Sequence, residues 1–180
     1  MHLRRIFQQP LVAYRCPRNL QDLLVDTRQH GITSSLANDN GTFPCQSALC
    51  KTCVLVYNLM DLPFGDRQVY HVTGRYNCAA SAVVYLITCS VCDAAYVGET
   101  GRTLRERMIG HRQDIRSHAD TPVALHFGES THNIRVSVIQ QAPCDTVQRR
   151  TAERGWIKKV RDSSPFTVLN RNEGMDILLL

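Results

Sequence analysis

The cysteines of this 180-residue chain are concentrated in one stretch, and this concentration limits the possible folds more than any other feature. Six of the eight lie between Cys45 and Cys92, and the chain also has seven histidines. The basic N-terminus is not followed by the apolar run of a secretory signal, so we expect an intracellular protein. In a reducing compartment, close cysteine pairs with histidines nearby predict zinc ligands before redox pairs or disulfides.

The charge balance favours an acidic partner. Lys and Arg total 21 against 16 Asp and Glu, which gives a net charge of +5 and a pI near 8.9. A positive surplus suits nucleic acid. No stretch approaches the roughly 20 apolar residues that a membrane-spanning helix requires. DNA is therefore a candidate partner, and a membrane is not.

Changes in composition divide the chain into four predicted segments. These are a basic connector at residues 1–44, a small Cys-rich segment at 45–78, the main domain at 79–172 and a tail at 173–180. The connector contains helical apolar spacing at residues 19–25. In the Cys-rich segment, strands are expected at 54–57 and 69–72, followed by a turn at Gly74.

Hydrophobic patterning predicts a small α+β fold for the main domain. Strands are expected at residues 82–88, 95–98 and 134–139, and helices at 103–118 and 145–161. The first strand is rich in β-branched residues, and the second is close enough to pair with it as a hairpin. Asp145 is the expected N-cap of the last helix.

Three charged or titratable residues have unusual positions on these helices. Arg107 and His111 lie four residues apart beside the apolar stripe of the first helix, and we expect both to face outward. Glu153 lies in the middle of the apolar face of the last helix. Because an unpaired buried charge is costly, Glu153 needs a cation, a donor or a metal, and a salt bridge to Arg149 is the simplest alternative.

The order of several residues resembles the GIY-YIG endonuclease family. Val83-Val-Tyr85 stands in the place of the first tripeptide, and Tyr96-Val-Gly98 matches the second. The matching positions after them are Arg107, His111, Glu153 and Asn170. Val83 and Val84 depart from the motif, but only the tyrosine of the first tripeptide carries side-chain chemistry. Taken alone, Tyr85 would more often be a core residue.

The resemblance implies a three-stranded antiparallel sheet flanked by helices, with a zinc-stabilised hairpin, and the activity of a metal-dependent DNA endonuclease. Glu153 would hold one Mg²⁺ or Mn²⁺. Arg107 would contact the scissile phosphate, and Asn170 would belong to the catalytic set.

The same resemblance implies that Tyr85, Tyr96 and His111 position or deprotonate the attacking water. Which of them is the base stays open, because an unperturbed tyrosine has a pKa near 10 whereas histidine titrates closer to neutrality.

Phosphate contacts are expected from arginines around the first helix. These are Arg102, Arg105 and Arg112, with Arg107 at the scissile bond. Contacts of this kind give affinity before they give specificity, so DNA binding should be sensitive to salt.

Four further residues resemble those of the Penelope-like retroelement branch of the family. Cys89 and Cys92 lie between the two tripeptides, and His126 and His132 lie before the third strand. Such a set implies a closed, structural Zn²⁺ site. A redox pair is the alternative, but a redox pair would sit at a helix N-terminus rather than in a hairpin.

The upstream cysteines suggest a second zinc site. Cys45, Cys50 and Cys53 need a fourth ligand, for which His71 and Cys78 are the candidates. The sequence does not decide between the two, and His71 is named as a possible ligand.

The resemblance also implies a biological setting. Penelope-like elements encode a reverse transcriptase, so the chain would be the C-terminal part of such a protein or a remnant of one. It would act in the nucleus and nick target DNA. The alternative function is a non-catalytic, zinc-dependent nucleic-acid-binding remnant, and a thiol redox protein is a more distant third.

Overall fold

The computed structural model describes residues 40–64, 68–128 and 131–171. The predicted helix at 19–25, nearly all of the connector and the tail lie outside the described residues. Within the described ranges, no helix combines the length and the apolar character needed to cross a membrane.

The described chain contains eight strands and three α-helices. The strands are β1 (Gly41–Phe43), β2 (Asp61–Phe64), β3 (Gln68–His71), β4 (Arg75–Asn77), β5 (Ser81–Cys89), β6 (Ala94–Thr103), β7 (Ile134–Gln141) and β8 (Thr167–Val168). The helices are α1 (Leu104–Arg116), α2 (Pro122–Phe127) and α3 (Thr146–Ser163).

The main sheet has the strand order β7-β5-β6-β8. β5 pairs with β6 and β7 in antiparallel fashion, as the three predicted strands require. The sheet differs from the expected three-stranded one by β8, which pairs with β6 in parallel fashion. A two-residue strand is too short to show a periodic pattern, so β8 could not be predicted from hydrophobic alternation.

The central strand β5 is buried on both faces. Val83 and Tyr85 have no exposed surface and pack toward α1 and α2, whereas Val84 and Leu86 pack toward Trp156 of α3. Successive side chains of a strand point to opposite faces, so this one strand supplies both hydrophobic cores. The sheet is therefore the middle layer between the helices.

The helix starts follow local sequence signals. α1 begins with a capping box, in which Thr103 and Glu106 satisfy each other's backbone N–H groups. α3 begins after Asp145, whose carboxylate accepts a hydrogen bond from the Gln148 N–H at 2.8 Å. The prediction of Asp145 as N-cap is thus confirmed.

The Cys-rich segment differs from the prediction at one of its two strands. The strand expected at 69–72 is present as β3, which forms a hairpin with β2. The strand expected at 54–57 is wrong: Cys53–Leu55 is a 3-10 helix, and Val56 makes only an isolated bridge to Val136 of β7. In this 3-10 turn the Cys53 thiol lies 3.5 Å from Cys45 Sγ. Gly74 has a φ of +98°, as its predicted turn requires.

The role of Asp145 as the N-cap of α3 can be tested by substitution. Replacing Asp145 by alanine leaves the Gln148 N–H without its acceptor, so we expect the free energy of unfolding to fall by about 1 kcal/mol. Urea denaturation measures the change. Asp162→Ala, which removes an exposed carboxylate from the other end of the same helix, should cost less than about 0.5 kcal/mol. Equal losses in the two variants would contradict the capping role.

Candidate active site

The hydroxyl of Tyr85 is the centre of a buried hydrogen-bonded group. It accepts a hydrogen bond from Arg107 Nε at 2.9 Å and lies 2.8 Å from His111 Nε2. Gly98 is the cross-strand partner of Tyr85. A Cβ atom at position 98 would overlap the Tyr85 ring and would lie 2.9 Å from the Tyr96 ring. The glycine therefore provides the space in which the tyrosine ring sits.

Tyr96 occupies the same face of the sheet as Tyr85, one diagonal position away, because it pairs with Ile87. Its ring meets the His111 ring edge-on, with 5.6 Å between the centroids. The Tyr85 and His111 rings are 5.9 Å apart in a similar arrangement. The histidine is thus placed between the two tyrosines. Tyr96 is partly exposed, whereas Tyr85 is not exposed at all.

The prediction that Arg107 and His111 both face outward is wrong for His111, which is only 4% exposed. The histidine belongs to the buried stripe of α1, three residues after Met108, and its imidazole lies within hydrogen-bond distance of the Tyr85 hydroxyl. Arg107 is exposed on the helix surface, but its Nε points back to Tyr85.

Burial and the charge of Arg107 determine the protonation of this group. Both effects lower the pKa of His111, to about 3, so its imidazole is neutral near neutral pH. Burial raises the pKa of Tyr85, against the opposing effect of Arg107. A neutral tyrosine that accepts from Arg107 can donate its own proton to His111 Nε2, which places the histidine proton on Nδ1. That Nδ1 has no hydrogen-bond partner within the described residues.

Glu153 lies half-buried beside a second carboxylate. Burial raises the pKa of Glu153, and the Glu99 carboxylate raises it further. The salt bridge considered between Glu153 and Arg149 is not formed. Arg149 is only 6% exposed and instead pairs with Glu99, while it also donates to the Cys144 carbonyl at 2.7 Å.

The surroundings of Glu153 fit a divalent cation. Two neighbouring carboxylates in a half-buried place repel each other, and a cation relieves that repulsion. Arg149 balances Glu99, so Glu153 is the carboxylate left to hold an ion. A single carboxylate with retained waters is an ordinary site for Mg²⁺ or Mn²⁺.

A cleft of about 630 Å³ lies beside Glu99 and Arg107, which are both among its lining residues. Its lining includes four arginines, Arg102, Arg107, Arg149 and Arg150, together with Glu99 and Glu106. Of the three arginines predicted to bind DNA, only Arg102 is among these lining residues. Arg105 and Arg112 lie on another side of α1, where Arg105 Nη2 is 3.3 Å from Cys45 Sγ and Arg112 Nη1 is 3.4 Å from the Lys51 carbonyl.

Asn170 is a bracing residue in this geometry. Its Oδ1 accepts from the Val97 N–H at 2.9 Å, and its Nδ2 donates to the Val97 carbonyl at 2.8 Å. Both polar atoms of the amide are therefore used to continue the pairing of β8 along β6. This position favours support of the strand that carries Tyr96 and Gly98 over contact with a substrate.

The four residues of the expected hairpin zinc site come together. One ligand atom from each of Cys89, Cys92, His126 and His132 lies within 4.8 Å of the others, so the group can hold a metal ion. Cys89 Sγ is 3.2 Å from His132 Nδ1. Despite burial, hydrogen bonds from the two histidines lower the pKa of Cys89 to about 5, which favours the thiolate that binds metal. The two cysteines lie at the β5–β6 connection and not at a helix N-terminus.

The second cluster consists of four cysteines. Cys45, Cys50 and Cys53 are joined by Cys78, again with ligand atoms within 4.8 Å of one another. His71, the other candidate for the fourth ligand, does not belong to this cluster: it is exposed on the β2–β3 hairpin, where its Nδ1 lies 2.7 Å from Asp61 Oδ1. Cys78 is fully buried directly after β4, the partner of β1, and so reaches the cluster.

Comparison with known families agrees with this geometry. Residues 81–166 match the family model of the GIY-YIG catalytic domain. The match begins at the first residue of β5 and extends past the end of α3, so it includes Tyr85, Tyr96, Arg107, His111 and Glu153. A GIY-YIG domain implies nuclease activity in general. Neither the curated proteins nor the solved structures include a significant match to the chain.

The composition of the four-cysteine cluster predicts how many zinc ions the chain binds. We expect the purified chain to contain two zinc ions, and Cys78→Ser to lose one of them because only three thiolates remain. His71→Ser is the matched control and should keep both ions. Elemental analysis of the folded proteins measures the ratio. Loss of zinc from His71→Ser, with Cys78→Ser unchanged, would contradict the assignment.

Proposed function

We propose that this chain is a metal-dependent DNA endonuclease whose catalytic group is built around the hydroxyl of Tyr85. The observation that supports the proposal most directly is the sharing of this hydroxyl between Arg107 and His111, next to Glu153 and to a cleft lined with arginines. Hydrolysis of a phosphodiester needs an activated water, neutralisation of charge on the phosphate and stabilisation of the departing oxygen. The site offers one group for each task.

Arg107 binds the scissile phosphate. Its guanidinium lines the cleft and stays charged, since its already high pKa is raised further through its interactions with Tyr85 and Tyr96, against the effect of burial. With Nε committed to Tyr85, the terminal nitrogens are the donors for phosphate oxygens. The tyrosine thereby fixes the orientation of the arginine.

Tyr85 and His111 act together on the attacking water. The Tyr85 hydroxyl is buried one hydrogen bond behind the guanidinium, and the proposal places the attacking water between the bound phosphate and this hydroxyl. The hydroxyl takes a proton from the water while its own proton passes to His111 Nε2. A phosphate on Arg107 offsets the arginine charge, which is one of the two causes that lower the pKa of His111. DNA binding therefore makes the histidine a better proton acceptor.

Glu153 would hold one Mg²⁺ or Mn²⁺, and the ion would supply charge stabilisation for the departing 3′ oxygen. Tyr96 flanks the same region from β6, and its partial exposure allows contact with the phosphate. Asn170 acts indirectly, because it holds the backbone of β6 through Val97.

The four-cysteine cluster and the Cys/His cluster would each hold a structural zinc ion. The site at Cys89, Cys92, His126 and His132 would tie the β5–β6 connection to the segment between α2 and β7. Such a site would fix the closed end of the hairpin that carries the two tyrosines. Closed four-ligand sites leave no open position for catalysis.

The biological setting we propose is nicking of target DNA in the nucleus by a Penelope-like retroelement or a derivative of one, with a reverse transcriptase as partner. It is supported by the resemblance of Cys89, Cys92, His126 and His132 to that branch. A 3′ end released by the nick would serve as the primer for copying.

Cleavage of supercoiled plasmid in Mg²⁺ tests the catalytic roles. Arg107→Ala and Glu153→Gln should each reduce the nicking rate roughly 100-fold or more, since each removes a group that stabilises charge in the transition state. Asp162→Asn, an exposed neutral replacement on the same helix as Glu153, should nick at the wild-type rate. Circular dichroism and zinc content verify that the variants are folded.

Two outcomes would count against the proposal. Undiminished nicking by Glu153→Gln would remove the metal role from this residue. A zinc-containing wild-type protein that binds DNA and never nicks it would favour the non-catalytic binding module.

A further inference from the structure

A second basic surface lies on a side of α1 that does not line the cleft. It is a groove of about 340 Å³ between this helix and the loop of residues 45–53. We call it the basic groove, and its main lining residues are Leu49, Lys51, Arg105, Ile109, Arg112 and Arg116. It shares no lining residue with the arginine-lined cleft.

Helical geometry explains why the two surfaces are separate. Arg105, Ile109, Arg112 and Arg116 follow one another at spacings of four, three and four residues, which places them on one stripe of α1. The buried stripe of Leu104, Met108 and His111 lies beside it. Arg107 belongs to neither stripe and lines the cleft. One helix therefore serves the active site with one side and the basic groove with another.

The four-cysteine cluster positions the other wall of the groove. Arg105 connects the two walls, since its N–H donates to the Cys78 carbonyl at 2.9 Å and its Nη2 is 3.3 Å from Cys45 Sγ. Arg112 Nη1 reaches the Lys51 carbonyl at 3.4 Å. The loop and the helix are thus joined in the folded chain, so the groove is preformed.

The chemistry of the groove favours a polyanion. Lys51, Arg105, Arg112 and Arg116 supply four cations, and none of the groove's lining residues is acidic. Leu49 is 92% exposed at its rim. Cations neutralise phosphates, and an exposed aliphatic side chain can cover sugar or base edges. An acidic peptide would use the cations but would not need their regular spacing along a helix.

We propose that the basic groove is a second DNA-binding surface, which holds duplex DNA flanking the bond that is cut in the cleft. The inference rests on the proposed function only for the choice of DNA as the substrate. Its role is affinity and placement of the substrate, separate from the chemical step.

Binding to a labelled duplex at several salt concentrations tests the groove. All proteins carry Glu153→Gln, so that the DNA stays intact. Adding Arg112→Gln with Arg116→Gln should weaken binding by about tenfold and reduce the slope of log affinity against log salt by about 2, one for each lost cation. Lys158→Gln with Lys159→Gln removes two charges from α3, outside the groove, and should change neither quantity by as much.

Leu49→Ser separates the apolar contact from the charges. Because this side chain is almost fully exposed, the fold and zinc content should be unchanged. We expect weaker binding with an unaltered salt slope.

The groove proposal is overturned if the Arg112/Arg116 variant binds DNA like the Lys158/Lys159 control, because DNA is then not the occupant. Failure of the wild-type protein to nick DNA would leave these binding results intact. The two proposals therefore fail separately.

Discussion

The hydrogen bonds at the Tyr85 hydroxyl are the contact on which the candidate active site depends. They join the central strand β5 to Arg107 and His111 of α1, and they form only because Gly98, on the paired strand, leaves room for the tyrosine ring. The same contacts set the chemistry. Arg107 is held where it can meet a phosphate, and His111 is kept neutral by burial and by the arginine charge.

The two cysteine-containing clusters lie at the ends of the elements that carry Tyr85, Arg107 and His111. One lies at the connection between the tyrosine-bearing strands, and the other contacts α1 through Arg105. Small sheets with short connections have limited cores, and bound metal can supply the missing constraint. Zinc would therefore stabilise both the β5–β6 hairpin and α1, which meet at Tyr85. The four-cysteine cluster would also hold the loop that forms one wall of the basic groove.

The sequence predicted what depends on local pattern and missed what depends on register. The three long strands, their pairing and the cap at Asp145 follow from alternation, β-branched residues and capping chemistry, which are local. The choice of Cys78 over His71 depends on how β1 and β4 pair, which spacing alone does not define. His111 has the helical spacing of the buried stripe, but the sequence does not show the Tyr85 hydroxyl that gives a buried imidazole its hydrogen-bond partner. The strand β8 has only two residues, which is too few to show a periodic hydrophobic pattern.

The single-turnover rate of DNA cleavage by Tyr85→Phe, measured with the protein in excess, tests the role of the Tyr85 hydroxyl. The change removes one oxygen and keeps the ring that fills the space over Gly98, so the fold and zinc content should persist. We expect a loss of roughly 100-fold or more at saturating protein, because Arg107 and His111 lose their shared partner and the water loses its acceptor. A folded Tyr85→Phe protein that cleaves at the wild-type rate would contradict that role.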